Sequence, residues 1–342
     1  MRKTIAGIVV AVLLVGGVIY YWGIGGFWPC EPLPRLFGSD QCRLVQRLEG
    51  RSLQDYARLE DGTMLGITRA HGIDPTAPLE LVEFDLASGQ MQSQLPLTDI
   101  PSKSSFSAML VNHDASRILI GGTSGPALLL DRQGKVLSEH RWNVIGNAAF
   151  YGTEGQVLID PGINRRGIPD VDNTLVRDIN QSDRWALPFL GPFPEGFFSR
   201  SVGTVLTPDG TVYARDMDTN TDSGLAAIAV GNVSGLGALA PGHMVGTTLR
   251  PGCSYNISRM SFSPDGDRLA AAFSCSNPWG TESTALLVWD ILKKETLARI
   301  PSDEWWDSPY WLDNDTLLAS RYSADWQVSE LFEIHVSEKK RR

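Results

Sequence analysis

The feature that most constrains this chain is a short turn that recurs along it and feeds, each time, into an apolar strand. Phe262-Ser263-Pro264-Asp265-Gly266 leads into Asp267-Arg268-Leu269-Ala270-Ala271-Ala272, and Leu206-Thr207-Pro208-Asp209-Gly210 leads into Thr211-Val212-Tyr213-Ala214. Weaker copies are Leu59 to Gly62, Val111 to Asp114, Tyr151 to Gly155 and Leu312 to Asp315, each followed by apolar residues. In every copy Pro or a polar residue opens the turn and Asp or Asn caps it through the side chain. Gly takes the positive φ where it is present. The copies fall about 40 to 55 residues apart, the length of one four-stranded unit with generous loops.

Each copy also has a second half, in which a strand ends in an acidic residue and a polar turn. Ala285-Leu286-Leu287-Val288-Trp289-Asp290 runs through Lys293-Lys294-Glu295 into Thr296 to Pro301. Leu81 to Asp85 runs through Ser88-Gly89, and Ala127 to Asp131 through Gln133-Gly134. These read as hairpins that pair the last two strands of a unit. The unit at 262–290 resembles the WD40-like or TolB-type bacterial β-propeller repeat, and the resemblance extends weakly over about residues 44–336. It departs from true WD40 blades in lacking their Gly-His dipeptide at the expected places, since Gly242-His243 sits in a loop context. The resemblance implies an all-β propeller of six or seven four-stranded blades over residues 44–337. A seventh blade requires splitting the stretch from 160 to 205. A strand near Leu44 to Leu48 is expected to join the last sheet, because closing the ring removes exposed edges. A β-sandwich with a second small domain is the other architecture this spacing allows.

Composition agrees with many short strands: 34 Gly and 20 Pro in 342 residues, with 9% aromatics. The formal net charge of -9 repels a phosphate backbone and argues against nucleic acid as a partner.

The amino terminus is of another kind. Met1-Arg2-Lys3 precedes an uncharged stretch from Thr4 to Trp28, long enough at about 1.5 Å per residue to cross a bilayer. It ends in bulky aromatics, where a cleaved signal peptide wants small residues. Residues 1–28 are therefore expected to be one transmembrane helix, an uncleaved signal anchor in the inner or plasma membrane. Arg2 and Lys3 place the remainder on the extracytoplasmic, periplasmic side. Residues 29–43, with Pro29, Pro32 and Pro34, read as a stiff linker, and residues 338–342 as a basic tail. The four cysteines form two sequence-local pairs, Cys30 with Cys42 and Cys253 with Cys275, expected as disulfides in such a compartment, with free thiols as the alternative.

Chemistry is sparse. The five His residues are scattered without a metalloprotease spacing, and Gly122-Thr123-Ser124-Gly125-Pro126 reads as a hairpin loop, not a nucleophile elbow. No catalytic residue and no cofactor is assigned. Asp216, Asp218, Asn220 and Asp222 alternate oxygen side chains that suit Ca²⁺, or else form a solvated inter-strand turn. Trp305, Trp306, Tyr310 and Trp311 read as a partner-binding surface, or else as packing between blades. The sequence thus points to a membrane-anchored module that binds a protein or another envelope component. The alternatives are a hydrolase or lyase on carbohydrate or peptide, using distant residues such as Asp114, Arg165 and Asp265 that meet in an axial channel, and a ligand-binding sensor.

Overall fold

The computed structural model describes Cys30 and, with breaks, residues 42–336; the expected anchor at 1–28, most of the linker and the tail lie outside the described residues. Strand β1 (Cys42–Glu49) stands apart from the strands that follow it. The first sheet is β2 (Arg51–Arg58), β3 (Thr63–Ala70), β4 (Leu79–Asp85) and β5 (Met91–Pro96), and the second is β6 (Ala108–Val111), β7 (Ile118–Gly121), β8 (Ala127–Leu130) and β9 (Val136–His140). The third sheet is β10 (Ala149–Tyr151), β11 (Val157–Ile163), β12 (Pro169–Asp178) and β13 (Ala186–Pro188). After β14 (Arg200–Ser201) the fourth sheet is β15 (Thr204–Leu206), β16 (Val212–Asp216), β17 (Leu225–Asn232) and β18 (His243–Thr248). The fifth is β19 (Ser254–Phe262), β20 (Arg268–Ser276), β21 (Ser283–Asp290) and β22 (Glu295–Ser302), and the sixth holds β23 (Trp305–Trp311), β24 (Thr316–Tyr322) and β25 (Val328–His335).

All the strand pairs in these sheets are antiparallel, and the sixth sheet is completed by β1, which pairs with β25 from Cys42 opposite Ile334 to Glu49 opposite Val328. The closing strand begins at Cys42, slightly before the Leu44 expected from the sequence. Opening strands of successive sheets touch at five places: β2 meets β6, β6 meets β10, β15 meets β19, β19 meets β23, and β23 returns to β2. Sheets arranged radially, with their opening strands gathered around an axis and the amino-terminal strand closing the last, make a β-propeller.

This arrangement explains a burial pattern that simple alternation does not. In β7, β8 and β24 every residue is buried, and β5 is almost wholly exposed. A middle strand in a propeller sheet has a neighbouring sheet on each face, so both sets of side chains face apolar surface. An outermost strand has lost that cover. The core is accordingly a set of layers between sheets. Phe262, Leu287 and Trp289 face the fourth sheet beside Ile228, whereas Ala270, Leu286 and Val288 of the same fifth sheet pack with Trp306 and Phe332 of the sixth. Tyr56 and Phe84 pack with Leu331 across the closing seam, and Leu65 and Leu81 pack with Ile118 and Leu128 across the next.

Cys30 and Cys42 form a disulfide, and both are buried in the layer that holds Trp311 and Ile334. Cys275 is also disulfide-bonded, and Cys253, its expected partner, lies outside the described residues.

Candidate functional site

Two places gather polar or aromatic side chains from several sheets. The first is at the axis. β19 carries a bulge between Ile257 and Arg259, β2 one between Leu53 and Asp55, and β23 one between Asp307 and Tyr310. A bulge re-aims the side chain beside it. Here Arg259, Asp55 and Asp307 converge: Arg259 Nη1 lies 3.2 Å from Asp55 Oδ1, and its Nε lies 3.7 Å from Asp307 Oδ1. Asp55 Oδ2 also accepts the Met109 N–H of β6 at 2.8 Å, so one carboxylate links the first, second and fifth sheets. Burial opposes the Arg259 charge, but the Asp55 and Asp307 carboxylates outweigh it and hold the guanidinium above its ordinary pKa. Tyr322, buried beside them, is pushed up by burial and then by Asp307, so its hydroxyl stays protonated and donates to the Leu53 carbonyl. The axis-side edge of β19 is further occupied by β14, through Arg200 opposite Ser261 and Ser201 opposite Met260.

The second place is a corner of the sixth sheet. Trp305 pairs with Tyr322 across β23 and β24, and the turn from Ser323 to Gln327 follows. The Tyr322 and Trp326 rings lie 4.9 Å apart at 32°, and the Trp305 and Trp326 rings 5.8 Å apart at 36°. Tyr322 is buried, whereas Trp305 and Trp326 are partly exposed, giving a stepped aromatic surface on a buried base.

The turn that carries Trp326 repeats the one that dominates the sequence. Ser263 Oγ accepts the Arg268 N–H, its hydroxyl donates to Asp265, and Gly266 donates to the Ser263 carbonyl at φ +77°. Ser323 Oγ likewise accepts the Val328 N–H, its hydroxyl donates to Asp325, and Trp326 donates to the Ser323 carbonyl at φ +58°. Trp326 therefore occupies the glycine position. The left-handed conformation costs a non-glycine residue about 1–2 kcal/mol, and a bulky side chain there is a genuine outlier.

The expected partner-binding set divides. Trp306 and Trp311 are core residues: the Trp306 ring packs edge-on to Phe332 at 5.5 Å with the Arg321 guanidinium over it, and Trp311 Nε1 donates to the Ser261 carbonyl at 3.1 Å. Both rings are buried in one layer, between the fifth and sixth sheets, because the bulge between Asp307 and Tyr310 returns Trp311 to the face that carries Trp306. Tyr310 is partly exposed and packs 6.1 Å from Tyr56, which leaves Trp305 to join Trp326. Trp326 is not singled out by the sequence reading, although its Ser-x-Asp-x turn, with Trp in the place of Gly, is visible there.

Other expected residues fall elsewhere. Asp216 ends β16, opposite Ile228, and Asp218, Asn220 and Asp222 lie outside the described residues. Among the described residues no group of three or more His, Cys, Asp or Glu side chains is placed to hold a metal ion. Asp114 and Asp265 do not meet at the axis, because each caps its own turn, Asp114 with Asn112 and Ser116 and Asp265 with Ser263 and Asp267. Asp55, Arg259 and Asp307 stand at the axis instead.

No family model and no curated protein sequence matches this chain. Among solved structures, it is similar to the β-propeller domain of Cps50 (Swd1) from Myceliophteria thermophila, at 10% identity and a TM-score of 0.44, over 85% of this chain and 99% of that one. No helix among the described residues is long and apolar enough to cross a membrane.

Proposed function

We propose that this chain is a six-bladed β-propeller, tethered to a membrane by residues 1–28 and held on the extracytoplasmic side, that acts as a protein-binding or scaffold module. The observation that carries the reading is the occupied axis. Among the described residues Arg259 is held between Asp55 and Asp307, and β14 lies along the inner edge of β19, which supports a role for these polar groups in closing the ring. Aromatic rings are meanwhile presented outward, at the corner of the sixth sheet, where large rigid side chains make binding hot spots. The six described sheets favour six blades over seven. The anchor rests on the uncharged Thr4 to Trp28 stretch behind Arg2 and Lys3, and the compartment on the buried Cys30–Cys42 disulfide, a bond that persists in oxidising surroundings.

The test is cross-linking of the tagged full chain in intact membranes, with protease added to the outer side. A protease-accessible propeller cross-linked in fixed proportion to one protein supports the reading. A propeller shielded from outer protease overturns the location. A chain that cross-links to nothing and cleaves glycan or peptide substrates overturns the module in favour of the axial enzyme.

A further inference from the structure

Trp326 occupies a glycine position in a left-handed conformation, yet its ring is not buried in the core. Backbone strain of this kind persists where the surroundings enforce it and gathers at binding sites. The solvent-facing charge around the ring is acidic. Asp325 is exposed, the Glu304 side chain is 41% exposed, and Glu49, 76% exposed, pairs opposite Val328 just past the turn. Each neighbouring guanidinium is shared by two carboxylates, since Arg321 pairs with Glu304 and Glu330 and Arg47 with Glu49 and Glu330, so Asp325, Glu304, Glu49 and Glu330 outnumber Arg321 and Arg47 and the balance is acidic. Asp325 keeps its charge, because the Ser323 hydroxyl and the Gln327 N–H hold its carboxyl below the usual range. The same sheet displays the chemistry internally, with the Arg321 guanidinium 4.7 Å from the centre of the Phe332 ring and 5.6 Å from that of Trp306.

From this geometry we infer that the Trp305–Trp326 corner is a docking surface for a basic segment of a partner protein, with a Lys or Arg side chain laid over the indole faces inside the acidic rim. Cations over Trp faces are held by the ring quadrupole, and the carboxylates add attraction and orientation. The inference rests on the protein-binding reading and names the surface and the chemistry it uses.

The test uses the full chain in detergent micelles and three fluorescent probes: a repeating Lys-Gly decapeptide, its Glu-Gly counterpart and a chitin oligosaccharide. Anisotropy is expected to show the Lys-Gly peptide binding at least tenfold more tightly than the Glu-Gly peptide. Trp326→Gly leaves net charge unchanged and restores the residue the turn prefers, so it is expected to weaken binding at least tenfold with an equal or higher melting temperature. Trp305→Ala is expected to do the same to binding. Lys-Gly binding unaffected by Trp326→Gly reports only general attraction to an acidic protein and overturns the inference, as does preference for the oligosaccharide. If one membrane protein cross-links to the wild-type and Trp326→Gly chains alike, the module stands and this surface is wrong.

Discussion

Arg259 of β19 and Asp55 of β2 form an ion pair at 3.2 Å that joins the fifth and first sheets past the axial edge of the sixth. The pair therefore staples sheets that are not neighbours. Removing one member of a buried pair leaves an uncompensated charge and costs about 3–5 kcal/mol. Arg259→Met and Asp55→Asn are each expected to lose that much in urea unfolding, and the double variant less than the sum. Asp307→Asn is expected to cost less, since its contact is longer and its side chain 25% exposed.

Gly89 ends the turn between β4 and β5 at φ +67°, and a Cβ there would stand 2.1 Å from the Val45 carbonyl oxygen of β1. Gly89→Ala combines left-handed strain with a backbone clash across the closing seam. It is expected to destabilise by about 2–4 kcal/mol, read as a lower urea midpoint.

Lys294 takes φ +57° in the matching turn of the fifth sheet and is exposed. Here glycine relieves strain without removing packing, and the added freedom of the unfolded chain offsets part of the gain. Lys294→Gly is expected to stabilise by about 0.5–1 kcal/mol, seen as a higher denaturation midpoint.

Turn carboxylates set the acid limit. Thr63 and Ser116 N–H groups hold Asp61 and Asp114 below the usual range, as the Ser88 and Ser323 hydroxyls do for Asp85 and Asp325. A pKa lowered on folding adds stability above the unfolded value, and that stability is lost as pH falls through the folded one. Melting temperature is expected to hold from pH 7 to about 5 and to fall below about pH 4. Asp114→Asn should lower it at neutral pH and flatten the acid limb.

The Cys30–Cys42 bond closes a sequence separation of 12 and ties residue 30 to the strand that completes the ring. The Cys30→Ser/Cys42→Ser variant is expected to lose about 2–3 kcal/mol. Its melting temperature under non-reducing conditions checks this.

Much of the architecture is legible in the residues. The Ser263-Pro264-Asp265-Gly266 turn and its copies report strand junctions because capping and positive φ are local demands. The closing strand is legible because Leu44 to Leu48 is a strand with no sheet of its own. The burial of Trp306 is not legible beside the partial exposure of Trp305, since adjacent residues of one strand face different layers and only the neighbouring sheets decide which layer reaches solvent. Trp326 is missed for another reason: its turn joins β24 to β25, whereas the turns that define the repeat join opening strands to second strands.

The sequence by itself determined the repeat, the all-β class and an acidic chain with an uncharged stretch from Thr4 to Trp28, whereas the Cys30–Cys42 bond, left open beside free thiols, is formed in the structure. Only the tertiary structure decided that Asp55, Arg259 and Asp307 meet, because bulges in three distant strands turn them toward one axis. It also decided that a strained Trp326 stands beside Trp305. Turns are written in short-range hydrogen bonds, whereas sites in a ring depend on which sheets come to face each other.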